Sequence, residues 1–134
     1  MARILLVDEN PVTRALSRKT LLLAGHRVNN ATTAAEALDA ISQGSVDVAI
    51  VDLSLSDLPG VEAVERIRAA NDAVVIIAVT EEGIADTQTL ASLAGLSVLR
   101  KPCTPHELVE AVSRAFELRR VVTLPEQESV EHQV

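Results

Sequence analysis

Short apolar runs alternate along the chain with stretches whose apolar residues recur every three or four positions. Ile4-Leu5-Leu6-Val7 predicts a first strand, closed by Asp8-Glu9-Asn10. Pro11 stands where a first helical residue is favoured, and Val12, Ala15, Leu16, Leu22 and Leu23 keep helical spacing up to Gly25. Arg27 to Ala31 predicts a weaker second strand. Thr33-Ala34-Ala35-Glu36 has the form of a capping box; Ala37, Leu38 and Ile41 continue that helix and Gly44 stops it.

The most apolar stretch of this half, Val46 to Asp52, is rich in β-branched residues and reads as a strand buried on both faces of a parallel sheet. Past Pro59 and Gly60, the residues Val61, Val64 and Ile67 predict a third helix. Val74 to Val79 is a fourth strand that ends at Thr80. Ile84, Thr87, Leu90, Ala91 and Ala94 trace a polar, small-residue-rich fourth helix with Gly95 as its stop. Val98-Leu99 is a short fifth strand running into Lys101-Pro102. Thr104-Pro105-His106-Glu107 is a second capping box, and Leu108, Ala111, Val112, Ala115 and Phe116 form the core face of the last helix. From about Val121 the pattern is lost, so residues 121–134 are expected to be a tail or linker behind a domain of residues 1–120. Five strands alternating with five helices imply right-handed crossovers and a five-stranded parallel sheet with helices on both faces, an α/β fold.

Composition narrows the function classes. The 134 residues suffice for one domain with one core, and 48% of them are apolar. A net charge of −7 with no basic block argues against a nucleic-acid surface. The longest apolar run, Ala73 to Val79, is too short to cross a bilayer, and no leader pattern precedes the first strand. The lone Cys103 suits a reducing cytoplasm, which is the expected location.

In a parallel sheet every strand delivers its C-terminus to one edge, where ligands bind. The polar residues predicted there are Asp8 and Glu9, Asp52, Thr80 and Lys101. Two carboxylates about 4 Å apart repel by roughly 4 kcal/mol at an effective dielectric near 20. Lys101 offsets part of this and a hard divalent cation would offset more. Oxygen donors with retained water are what Mg²⁺ prefers. The cluster therefore reads as a Mg²⁺ site with a carboxylate left as nucleophile, and carboxylates do form aspartyl-phosphate intermediates.

With these residues in order, the chain resembles the receiver domain of bacterial two-component response regulators over roughly residues 2–120. The resemblance is carried by Ile4 to Pro11, Val51-Asp52-Leu53 with Gly60 eight residues after the aspartate, Thr80, and Lys101-Pro102. It implies a flavodoxin-like (βα)5 fold with Asp52 as phosphoacceptor. It implies Mg²⁺ held by Asp8, Glu9, Asp52 and the Ser54 backbone carbonyl, with Glu9 favoured over Asp8 as the direct ligand. Lys101 would pair with the phosphoryl group, Thr80 would be the switch hydroxyl, and the peptide before Pro102 would be cis. The donor would be a sensor histidine kinase or a phosphotransfer protein, and the chain would be a switch, not a turnover enzyme.

The chain departs from the family's usual pattern at four places. Val98 stands where an aromatic residue couples to the switch hydroxyl, so output is expected through the backbone of the Thr80 loop or another face. Glu81 replaces a small residue and is expected to modulate access to the phosphoryl site. Ser56 replaces a proline four residues after Asp52, a change that alters a loop and need not alter the chemistry, and Cys103 follows Lys101-Pro102 where Phe is common. A second reading keeps the fold as a pseudo-receiver, a phosphorylation-independent interaction module with Glu81 blocking the chemistry. Self-association through the last helices is an open alternative, and the downstream target is unnamed. A flavodoxin-like cofactor binder fits poorly, because the loop after the first strand is acidic where a cofactor phosphate wants hydroxyls and bare amides. His26, His106 and His132 lack metal-ligand spacing.

Overall fold

The computed structural model describes residues 1–81 and 96–132, with side chains through 118. Its strands are β1 (Arg3–Val7), β2 (Arg27–Ala31), β3 (Val48–Asp52), β4 (Val75–Glu81) and β5 (Ser97–Lys101). They pair in parallel in the order β2-β1-β3-β4-β5. The described helices are α1 (Pro11–Leu23), α2 (Ala34–Ser42), α3 (Gly60–Ala70) and α4 (Pro105–His132). The helix expected over Ile84 to Ala94 lies outside the described residues.

Side-chain alternation along each strand divides the core into two layers. Leu5 and Val7 of β1 and Ala49 and Val51 of β3 pack with α2 and α3 through Ala37, Ile41, Val64 and Ile67. Ile4 and Leu6 of β1 and Val48 and Ile50 of β3 pack with Leu21 of α1 and with Leu108, Val112 and Ala115 of α4. Every residue of β3 is buried, which is why its sequence is an unbroken apolar run.

Helix ends follow their local chemistry. Asn10 Oδ1 accepts from the Val12 and Thr13 N–H groups at the start of α1. Thr33 Oγ1 accepts from the Glu36 N–H, while Glu36 reaches back to the Thr32 N–H. Asp57, arriving from the β3–α3 loop, adds acceptors for the Ala34 and Ala35 N–H groups. Thr104 and Glu107 form a reciprocal capping box before α4. Gly44, which ends α2, has φ of 80°, a conformation that suits glycine.

One expectation is filled in and one changes. Helix α4 runs on to His132, so the backbone of the stretch expected as a tail or linker is helical over its described part. Pro125 opposes a helix interior, and the strong helix formers Glu126, Gln127 and Glu128 carry the helix on beyond it. Helix α1 is turned the other way from its apolar pattern. Val12, Leu16 and Leu23 are 66%, 62% and 79% exposed, and Leu21 is its buried residue. Arg14 and Arg18 instead face the sheet edge and donate to the Asp8 and Val28 carbonyls, both at or next to strand ends. Hydrogen bonds to backbone carbonyls hold this helix where apolar contact was expected.

Candidate functional site

Asp52 closes β3, and the next residue continues the ladder through its N–H to the Val79 carbonyl at 2.9 Å. The chain then turns, and the Ser54 N–H donates to Asp52 Oδ1 at 2.8 Å. Gly60 fixes this turn from the other side. A Cβ at that position would stand 2.3 Å from the Leu53 Cα and 2.4 Å from the Leu53 carbonyl oxygen. The N-terminus of α3 therefore lies directly against the backbone that follows Asp52, which accounts for a glycine at this spacing.

Alternation places Asp8, Asp52 and Lys101 on the α1/α4 side of the sheet, in step with Leu6, Ile50 and Leu99. Lys101 Nζ donates to Asp52 Oδ2 at 2.7 Å and lies 3.5 Å from Asp8 Oδ2. Both aspartates are buried. Asp8 Oδ1 also accepts from the Asn10 N–H and Oδ2 from the Thr13 hydroxyl at 2.7 Å. Partial burial pulls the Lys101 ammonium down, but the hydrogen bond it donates to Asp52 and the charges of Asp52 and Asp8 outweigh it and hold the group above an ordinary lysine. The Lys101–Pro102 peptide is cis.

Two carboxylates thus converge on one ammonium. The third does not join them. Glu9 turns to the β3–α3 loop, where the Ser56 N–H donates to it at 2.6 Å and the Ser56 hydroxyl contacts its two oxygens at 2.7 and 2.5 Å. Among the described residues, no three Asp, Glu, His or Cys side chains form a group that could hold a metal ion. The expected crevice of three acids is therefore a pair, with the neighbour of Asp8 drawn away by two strong donors.

Thr80 is buried at the end of β4 with its hydroxyl 3.5 Å from the Glu81 carbonyl. Its place in the alternation matches Ile76, in the α2/α3 layer, so it lies across the sheet from Lys101. Glu81 has the opposite parity and is the register partner of Lys101. Both line a cavity of about 480 Å³ with Thr13, Leu16, Ser17, Pro102 and Cys103. A smaller space of about 30 Å³ lies among Asp8, Asp52, Lys101 and the apolar residues beneath them. Val98 is 38% exposed on β5. Cys103 is a free thiol, half-buried beside Lys101. Sequence reasoning passed over Thr13 and gave Ser56 no chemistry. Position three of a helix abutting a strand end could have flagged Thr13, whereas the contact of Ser56 with Glu9, 47 residues away, has no local signal.

The profile described as "Response regulator receiver domain" matches residues 4–113. The sensor histidine kinase RcsC of Salmonella typhi is 26% identical over 111 residues, covering 82% of this chain and 12% of the kinase. The alginate biosynthesis transcriptional regulatory protein AlgB of Pseudomonas putida is 30% identical over 120 residues, covering 89% of this chain and 27% of the regulator. The chain spans half or less of the length of such curated relatives. A CheY-like receiver domain protein from Methanospirillum hungatei superposes with a TM-score of 0.83 at 27% identity, covering 90% of this chain and 97% of that one. A receiver domain protein from Clostridium thermocellum gives 0.83 at 26% identity, covering 92% and 100%. The aspartate at the end of β3, the lysine that meets it from β5, and the matched profile agree: the chain belongs to the response regulator receiver domain family.

Proposed function

We propose that the chain is a phosphoacceptor switch, taking a phosphoryl group from a partner's phosphohistidine onto Asp52. The observation that carries this reading is the 2.7 Å contact of Lys101 with Asp52 Oδ2 at the end of β3, with Asp8 sharing the same ammonium. An Asp52 carboxylate oxygen attacks phosphorus, the P–N bond to the imidazole breaks, and the departing ring takes up a proton. Hydrolysis reverses the gain: water attacks phosphorus, the P–O bond to Asp52 breaks, and inorganic phosphate leaves. Lys101 is placed to follow the charge onto the phosphoryl oxygens, and the Ser54 N–H keeps the carboxylate aligned. The chain acts as a self-resetting switch and not as a turnover enzyme.

The donor set suits Mg²⁺. Asp8 and Asp52 already share one cation, and one or two carboxylates with retained waters are what this ion takes. Asp8, Asp52 and the Ser54 carbonyl would hold it, with Glu9 once released from Ser56. When bound, it neutralises charge on the transferring phosphoryl oxygens. Thr80 would supply the switch hydroxyl, and with Val98 in place of a ring the readout passes through the Thr80 backbone.

The partner would be a sensor histidine kinase or phosphotransfer protein. Val12, Leu16 and Leu23 lie within about 40° of one another around α1 and form an exposed apolar stripe, with Leu16 on the wall of the cavity that Lys101 also lines. Such a stripe beside the acceptor fits an amphipathic helix of the donor. A cytoplasmic setting follows from that chemistry. Among the described residues, no helix is long and apolar enough to cross a membrane.

One observation favours the second reading, a pseudo-receiver: Glu81 faces the cavity through which a phosphate would reach Lys101. Incubation with Mg²⁺ and a phosphohistidine donor separates the two. Base-labile phosphate that Asp52→Asn abolishes supports the switch, and its absence from the unaltered chain supports the interaction module.

A further inference from the structure

We infer that Ser56 is a positioning residue that holds the Glu9 carboxylate away from Asp52 and thereby sets how tightly the site takes Mg²⁺. The inference rests on the metal reading above and deepens it at Ser56. Ser56 sits two positions after Ser54 on the turn that leaves β3, and each serine restrains a different carboxylate. The Ser54 N–H donates to Asp52 Oδ1, and the Ser56 N–H and hydroxyl take Glu9. The two acids are thus held by different donors of one loop.

The Ser56 contacts are strong by their chemistry. Both oxygens of Glu9 are engaged, at 2.5 to 2.7 Å, by donors facing an anion, the class of hydrogen bond that is shortest and firmest. Held there, Glu9 adds little to the repulsion that Asp8 and Asp52 already share, so the acid pair needs no counter-ion beyond Lys101. A divalent cation gains Glu9 as a ligand only when these contacts break. Ser56 and the metal therefore compete for one carboxylate, and the hydroxyl acts as a latch. A proline at this position would offer neither donor, so a chain with proline there would have Glu9 free from the outset.

Calorimetric titration with Mg²⁺ alone tests this on the parent chain and five variants. Ser56 is exposed, so Ser56→Ala leaves the core intact while removing the two hydroxyl contacts. Its Mg²⁺ affinity is expected to rise roughly three- to tenfold, the range of a hydrogen bond to a charged group discounted for exposure. Ser56→Pro, lacking both donors, is expected to rise further, and Ser56→Thr, which keeps them, to match the parent chain. In a Glu9→Gln background the gain from Ser56→Ala should vanish. The amide proton of Ser56 gives a second readout: it should resonate far downfield without metal and move upfield as Mg²⁺ is added. Equal or weaker binding by Ser56→Ala and Ser56→Pro overturns the latch and leaves the metal reading standing. No Mg²⁺ binding by the parent chain overturns both.

Discussion

Replacing Gly60 by alanine is expected to damage Asp52 from eight residues away. The new Cβ would lie 2.3 Å from the Leu53 Cα, whereas carbon atoms rest at roughly 3.5–4.0 Å, so one backbone must move by about 1.2 Å or more. Neither side is a yielding side-chain tip: the contact is with the Leu53 Cα, carbonyl carbon and oxygen. Forced overpacking of this kind costs about 1–3 kcal/mol, less at most about 1 kcal/mol for alanine's better helix propensity. The melting temperature should fall by several degrees, at roughly 2–8 °C per kcal/mol for domains near this size. Far-UV circular dichroism measures it, since the chain has no Trp. The larger effect should fall on the chemistry. Leu53 adjoins Asp52, and the next residue donates to Asp52 Oδ1, so the strain is absorbed where the proposed phosphoacceptor is aligned. A displacement near 1 Å at a reacting group is worth about 10²-fold in rate. Gly44→Ala is the control: nothing lies within 4 Å of its Cβ, and the cost there is backbone strain at φ of 80°, about 1–2 kcal/mol. Gly44→Ala should lower stability and spare phosphorylation by a phosphohistidine donor. Equal melting temperatures for Gly60→Ala and the parent, or equal loss of phosphorylation in the two variants, would refute the reasoning.

Glu81→Ala should speed phosphorylation by acetyl phosphate about two- to tenfold at low salt, with the gain shrinking as ionic strength rises; an unchanged rate would clear Glu81 of any gating role. His26 accepts the Ala2 N–H at 3.0 Å, and burial followed by the N-terminal charge holds its imidazole below the ordinary 6.5. The unfolded chain therefore binds the proton more readily, and stability should be lost as the pH falls from about 6.5 through the lowered folded value. His26→Asn should flatten that acid limb in melting curves between pH 7.5 and 5.5, and parallel limbs would count against it. Burial, then the charge of Glu107, pushes the Cys103 thiol up. Iodoacetamide should alkylate it more slowly than a free thiol at pH 8, and Glu107→Gln should raise that rate; a rate equal to that of glutathione would contradict the assignment.

The sheet was legible because strands buried on both faces cannot carry polar residues in their interiors, so β1, β3 and β4 stand out as apolar runs that end in Asp8, Asp52 and Thr80. Lys101 and Asp52 were legible as partners for the same reason, being delivered to one edge by the topology. The boundaries moved where side chains intervened: β3 begins at Val48 rather than Val46, because the Asp47 carboxylate accepts the Arg3 N–H. Periodicity misled on α1, since it locates an apolar face without saying whether that face looks inward. Arg14 and Arg18 settle the matter through carbonyls that no local pattern reveals. Glu9 was placed with Asp52 by its neighbour in the chain, and the two donors of Ser56 draw it elsewhere.

The reversed seating of α1 separates two kinds of obligation that most helices must meet with the same residues. What fastens it lies on its polar flank, in guanidinium groups bound to main-chain oxygens and one leucine in the core. What it shows to the outside, at Val12, Leu16 and Leu23, supports almost nothing beneath. Those three positions can change character without loosening the domain. Recognition of the proposed donor along this flank is thus free to diverge from one lineage to the next while the scaffold stays as it is.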